Sequence, residues 1–243
     1  MHTARYPRVY RYLEKQYVDE FFDNGRLRLS SFQRFASHKD DQRFDEDEGQ
    51  VSLFHRTSEN GGQTLYVSMG FDKNAYVLCG STIPSVPLMK KFQTDSAIII
   101  RDVSGFIRAV AAKIPGVIRT VHGVCSYQST RAIERDLGWI DLADGPTDDP
   151  TNVSQIGLQK ALCQLVTDDV LFLKNWRFAK QVEYRLLWVV SQPKPFLDVH
   201  VPDAIQFCER WENHGWVAVN RYQRLRDIRT WLRKRWRLLS ARK

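Results

Sequence analysis

The stretch LFLKNWRFAKQVEYRLLWVV, residues 171–190, decides how this chain is read. From Gln181 onward it is rich in β-branched and aromatic residues, the composition of a strand. Strand side chains alternate between faces, so Gln181, Glu183 and Arg185 are expected on one side and Val182, Tyr184 and Leu186 on the other. One side is then a row of amide, carboxylate and guanidinium, and the other packs on a core. After Arg185 the run LLWVV is apolar on both faces, which predicts continuous burial. The polar row fits two readings. It is either the wet face of an edge strand or a set of groups gathered for chemistry.

The flanking sequence is also mostly strand-like. VYRYLE opens the chain's ordered pattern, Glu14 to Asn24 reads as a helix stopped by Gly25, and RLRLSSF (26–32) reads as a second strand before a short helix at Phe32–Ser37. The six acids within DDQRFDEDE (40–48) predict a solvated loop. QVSLFHR and TLYVSMGF surround the turn signal SENGG and predict a hairpin. NAYVLCGST (74–82), SAIIIR (96–101) and VIRTVHGVCSYQ (117–128) are further strands, with a helix over Val103–Ile114. A turn-rich loop at 141–152 leads through Thr151 or Asn152 as cap into an amphipathic helix ending near Thr167. Strands dominate without βαβ alternation, so the expected class is α+β.

Composition narrows the functional classes. The 243 residues are 43% hydrophobic and 26% charged, which fits a folded globular chain and excludes a disordered or coiled-coil one. No apolar run approaches ~18 residues, and the polar opening MHTARYPRVYRYLEK predicts no signal peptide. Cys79, Cys125, Cys163 and Cys208 form no CxxC pair, so a reducing cytoplasm is the expected compartment and no disulfide framework is expected. GxGxxG, GxxxxGK[ST] and HExxH are absent, and the six histidines have no metal-ligand spacing, so no metal is expected. His122 and Cys125 are three apart on one expected strand, hence on opposite faces, which argues against a Cys–His nucleophile pair.

The net charge of +8 is concentrated. Residues 221–243 carry ten Lys/Arg against one Asp, while the preceding 220 residues have a net charge of −1. Tyr222, Leu225, Ile228, Leu232, Trp236 and Leu239 recur at helical spacing, and Arg229, Arg233, Lys234, Arg235 and Arg237 fall between them. Arginine outnumbers lysine eight to two here, which favours phosphate forks and base stacking. Nucleic acid is the expected partner. An ordinary basic face, a membrane surface or an acidic protein partner fits the same charge pattern, and no stable membrane association is expected.

The Gln181-x-Glu183 pair at the head of a strong strand resembles the catalytic element of ADP-ribosyltransferases. The wider series is similar to bacterial ADP-ribosyltransferase-like proteins of toxin–antitoxin and phage-defence systems. It comprises Val9–Tyr12, Leu29–Ser31, Val77–Ser81 and the set Phe172, Lys174, Glu183 and Arg185. The resemblance implies a split, twisted sheet with flanking helices and a basic C-terminal helix, arranged as a catalytic domain over 1–200 and an extension over 201–243. It implies NAD as co-substrate, with Glu183 and Gln181 catalytic and Arg11, Tyr12, Ser30, Ser81 and Arg185 holding the dinucleotide. Breaking the nicotinamide–ribose bond develops positive charge on the ribose, which a fixed carboxylate stabilises. The expected activity is transfer of ADP-ribose to nucleic acid, RNA first, with a cognate antitoxin as a further partner. Two alternatives remain: a non-catalytic RNA- or partner-binding protein with a transferase-like fold, and a transferase acting on a protein side chain.

Overall fold

The computed structural model describes residues 6–32, 34, 48–57, 63–70, 75–136, 155–191 and 193–211. The chain divides into two compact units, Met1–Arg210 and Trp211–Lys243. Strands outnumber helices and most pair antiparallel, so the class is α+β.

Among the described residues the main sheet has eight strands. They are β1 (Val9–Leu13), β2 (Arg26–Ser31), β5 (Ala75–Ser81), β6 (Ser96–Ile100), β7 (Val117–Val124), β11 (Glu183–Val190), β12 (Phe196–His200) and β13 (Cys208–Arg210). β13 pairs with β6, so the first unit includes residues beyond the expected boundary at 200. The hairpin expected around SENGG forms β3 (Gln50–Thr57) and β4 (Gln63–Gly70), which take up β9 (Ala132–Arg135) as a third strand. A parallel pair joins β8 (Ser126–Gln128) to β10 (Leu173–Asn175).

β5 is the fork of the main sheet. One of its edges pairs along its length with β11, from Ala75↔Val189 to Ser81↔Glu183. Its other edge is divided: Tyr76 and Val77 pair with β2, whereas Ser81 pairs with Tyr10 of β1. β1 and β2 therefore diverge from a common strand and leave a gap between them. Gly80 permits the close approach of β1, because a Cβ there would lie 2.5 Å from Val9 Cγ1. Arg11 bridges the gap by donating from Nη1 to the Cys79 carbonyl at 3.1 Å and from Nη2 to the Arg28 carbonyl at 3.5 Å. It thereby serves backbone acceptors where the ladder opens.

Both faces of this sheet are covered, which explains its apolar content. On one side the helices Lys15–Asn24 and Val103–Ala111 set Phe21 and Phe106 against Leu29, Leu78, Leu186 and Trp188. Gly25 stops the first helix in the left-handed conformation (φ 77°), as its position predicted. On the other side Val51, Leu53 and Leu165 pack on Val77 and Leu187.

Two strand expectations are corrected. β11 starts at Glu183, not Gln181, and it is an interior strand between β5 and β7. Gln181 instead ends a 3₁₀ turn over Trp176–Gln181, and Val182 follows at φ 45°, ψ 53°. A β-branched residue in that region carries strain, and its effect is to break the alternation between Gln181 and Glu183. The expected strand 117–128 is two strands, interrupted at Cys125, whose amide donates to the Glu183 carbonyl at 2.9 Å. The expected opposition of His122 and Cys125 across one strand therefore does not apply. The Thr151/Asn152 cap and the 141–152 loop lie outside the described residues, and the helix they lead into spans Gln155–Leu165; the basic helix of 220–239 also lies outside the described residues.

Candidate active-site cleft

The gap between β1 and β2 is the mouth of a cleft of about 390 Å³. Arg11, Tyr12, Ser30, Ser81, Gln181 and Glu183 all line it. Six of the seven residues expected to act on or hold the dinucleotide are thus brought to one place. The fork does this directly, because Tyr10, Ser81 and Glu183 sit opposite one another on three adjacent strands.

The seventh, Arg185, does not line the cleft, and its expected role as a dinucleotide contact is corrected. Its side chain is 2% exposed, and all three guanidinium nitrogens are engaged. Nε donates to Glu183 Oε1 at 2.7 Å, Nη1 to the Leu171 carbonyl at 2.7 Å and Nη2 to Glu48 Oε1 at 2.7 Å. A guanidinium is a rigid planar fork, so three such bonds fix its orientation and, through it, the position of the Glu183 carboxylate.

Within the polar row Glu183 and Arg185 are therefore buried, whereas Gln181 is half-buried and lines the cleft. β3 and the turns around Leu171 and Phe178 cover the buried pair, and charge survives there because every carboxylate has cationic partners. Lys174 Nζ lies 2.5 Å from Glu183 Oε2 and 3.7 Å from Glu48 Oε2. Arg131 Nη2 lies 3.8 Å from Glu48 Oε2. Cys125 Sγ lies 3.6 Å from Glu183 Oε1. The Glu183 backbone is equally constrained, with its amide donating to Tyr127 Oη at 2.7 Å.

Burial alone would raise the Glu183 pKa, but the ammonium of Lys174 and the guanidinium of Arg185 outweigh it and hold the carboxyl well below its usual range. For Lys174 burial would favour the neutral amine, yet the facing carboxylates of Glu183 and Glu48 raise its pKa instead. Cys125 is pushed upward chiefly by burial and stays a thiol. The cleft floor thus presents an ionised, immobilised carboxylate beside a charged lysine.

The remaining lining residues differ in freedom. The Tyr12 hydroxyl donates to the Ile83 carbonyl at 2.9 Å and accepts from the Ser85 amide at 2.7 Å. Burial brings its pKa up to about 12. Its ring is thus fixed in the wall. Ser81 Oγ accepts from the Ile83 amide at 3.3 Å, while Ser30 is half-buried on β2.

Sequence reasoning missed Glu48 and Arg131, and it left Lys174 without a role. Glu48 belongs to the acidic run expected to be solvated, but it is 2% exposed. The available signal was position: Glu48 and Gly49 directly precede a strand, and Gly49 adopts φ 81° at the turn. Arg229, Arg233, Lys234, Arg235 and Arg237 lie outside the described residues. Among the described residues no helix is long and apolar enough to cross a membrane. No family model, no curated protein and no solved structure matches this chain.

Proposed function

We propose that the protein is an NAD-dependent ADP-ribosyltransferase acting on nucleic acid, RNA first, in a toxin or phage-defence role. The observation that carries the reading is the convergence of Arg11, Ser81, Gln181 and Glu183 on one cleft, with Glu183 ionised at its floor. In the reaction the bond between ribose C1′ and the nicotinamide nitrogen breaks, and its electron pair leaves with nicotinamide. Positive charge develops on the ribose ring, and Glu183 accepts a hydrogen bond from a ribose hydroxyl that strengthens as the charge grows. Gln181, on the far side of the Val182 kink, orients the attacking group. The acceptor atom bonds to C1′ and releases its proton to water. Arg11, at the fork, supplies positive charge for the pyrophosphate.

Lys174 and Arg185 have a cost as well as a use. They neutralise part of the negative field of Glu183, so its charge acts at short range, through a charge-assisted hydrogen bond to the ribose hydroxyl. The acceptor assignment draws on the net +9 of residues 221–243, where Arg233, Lys234, Arg235 and Arg237 are the proposed phosphate contacts. An acidic antitoxin would meet the same segment. Incubating the full chain with adenylate-labelled NAD and total cellular RNA tests the proposal. Nicotinamide release with label in an RNase-sensitive, protease-resistant product supports it. Label that protease removes would move the acceptor to protein, and no release would remove the enzymatic reading.

A further inference from the structure

Among the described residues β12 ends the strand order of the main sheet on one side. Phe196, Asp198 and His200 are exposed there, opposite Ser30, Arg28 and Arg26 of β2. Arg26, Arg28, Ser30 and Asp198 also line the cleft, so this two-strand face is continuous with the cleft wall. Phe196 is 42% exposed. This ring, on an edge strand and outside both apolar clusters of the described residues, has no role in the core.

Its surroundings give it one. The Arg28 guanidinium carbon lies 4.7 Å from the Phe196 ring centroid, and that of Arg34 lies 5.2 Å from it. Arg28 is held in place by a two-point pair with Asp198, Nε to Oδ1 at 2.7 Å and Nη2 to Oδ2 at 2.8 Å. Tyr17, 48% exposed, lines the cleft as well. An exposed ring flanked by arginines at a sheet edge is a surface on which an unpaired base stacks while guanidinium groups meet phosphate. Arg26 and Arg28 are each paired with a carboxylate, Glu20 at 3.4 Å and Asp198 at 2.7 Å, so phosphate is met by the N–H groups these pairs leave over, and the bidentate pair limits the rotamer freedom lost on binding.

We infer that the β2–β12 face is a platform for an unpaired base of single-stranded nucleic acid, with Phe196 as the stacking ring and Arg28 and Arg34 as phosphate contacts. It rests on the proposed acceptor class, deepens that reading by placing the acceptor strand beside the cleft, and is distinct from the basic segment 221–243. A base stacked on Phe196 leaves its neighbouring nucleotide at the cleft mouth, from which its acceptor atom would attack C1′ of the nicotinamide ribose of NAD.

The test is binding of the full chain to a fluorescein-labelled single-stranded oligoribonucleotide, without NAD, over a salt titration. Phe196→Leu keeps apolar bulk but removes the π-face, whereas Phe196→Tyr keeps the ring. Phe196→Leu is expected to weaken binding by about tenfold at every salt concentration, giving parallel log–log lines, because stacking releases no counterions. Phe196→Tyr is expected to bind like wild type. Equal affinity of Phe196→Leu and wild type, equal loss in both variants, or no RNA binding by wild type would each overturn the platform. Because NAD is absent, failure of this binding is distinguishable from failure of the transferase reading, which nicotinamide release reports separately.

Discussion

Glu48 and Glu183 are held by the same two cations. Arg185 donates to both carboxylates at 2.7 Å, and Lys174 lies between them at 3.7 Å and 2.5 Å. Only Glu183 lines the cleft. Glu48 sits behind it and acts on the site through Arg185 and Lys174, which makes it a positioning residue. This alternation of charges lets an ionised carboxylate survive in a covered sheet.

Glu48→Ala removes one carboxylate, leaves Arg185 and Lys174 sharing Glu183 alone, and takes from Arg131 its Glu48 contact. Breaking a buried pair costs roughly 3–5 kcal/mol, so a clear fall in melting temperature is expected. In the folded fraction kcat for nicotinamide release should fall while KM for NAD stays near wild type, since Glu48 touches no ligand. Glu48→Gln, which keeps an acceptor for Arg185 Nη2, should recover part of kcat. A rise in KM with kcat unchanged would contradict the positioning role.

Arg185→Lys tests the guanidinium geometry. One ammonium cannot serve Glu183, Glu48 and the Leu171 carbonyl together, so the conservative charge is not a conservative shape. Activity should fall by at least tenfold, about the scale of losing one oriented contact in the transition state. Stability should fall too, measured by denaturant midpoint at constant m-value. Wild-type kinetics in this variant would show that orientation of Glu183 does not depend on Arg185.

The pH dependence follows from the depressed pKa of Glu183. A carboxyl whose folded pKa lies below its unfolded value contributes stability above that unfolded value, and the contribution disappears as pH falls through the folded one. Taking ~4.3 as the ordinary glutamate value, nicotinamide release should show no acid limb from Glu183 above about pH 5. His122, whose pKa is lowered by burial, titrates separately and adds stability that is lost below its ordinary range near 6.5. Melting temperature should therefore decline on acidification before turnover per folded molecule does. An acid limb in turnover at the pKa of an ordinary glutamate would mean Glu183 is not the working carboxylate.

The strand pattern was legible because it is local. Val9–Leu13, Ala75–Ser81, Ser96–Ile100 and the β3–β4 hairpin carry the β-branched and aromatic content that their burial requires. The face of β11 was not legible, because what covers it comes from β3, the Asp168–Phe172 turn and Glu48, all distant in sequence. The convergence of Gln181 with Glu183 was expected from simple alternation, yet the structure achieves it through the left-handed Val182. Short strands such as Phe196–His200 and Cys208–Arg210 escaped notice because each finds its place by pairing at an edge rather than by its own periodicity.

The charged segment supplies a prediction independent of the cleft. Replacing Arg233, Lys234, Arg235 and Arg237 together by Gln should weaken RNA binding and flatten its log–log salt slope by about 3, each single-strand phosphate contact contributing roughly 0.7. NAD cleavage without acceptor should be unchanged. Parallel slopes would assign the segment to a protein partner, a membrane surface or solvent.

Nicotinamide release from NAD by the full chain, comparing wild type with Glu183→Gln, tests the central claim most directly. The amide keeps the shape of Glu183 but leaves Lys174 and Arg185 short of one negative charge, so the folded fraction is to be verified by circular dichroism at the assay temperature. Time-dependent release by wild type, reduced at least about a hundredfold in folded Glu183→Gln, is the predicted result. Equal release by the two proteins, or none by wild type with or without RNA, would contradict the account.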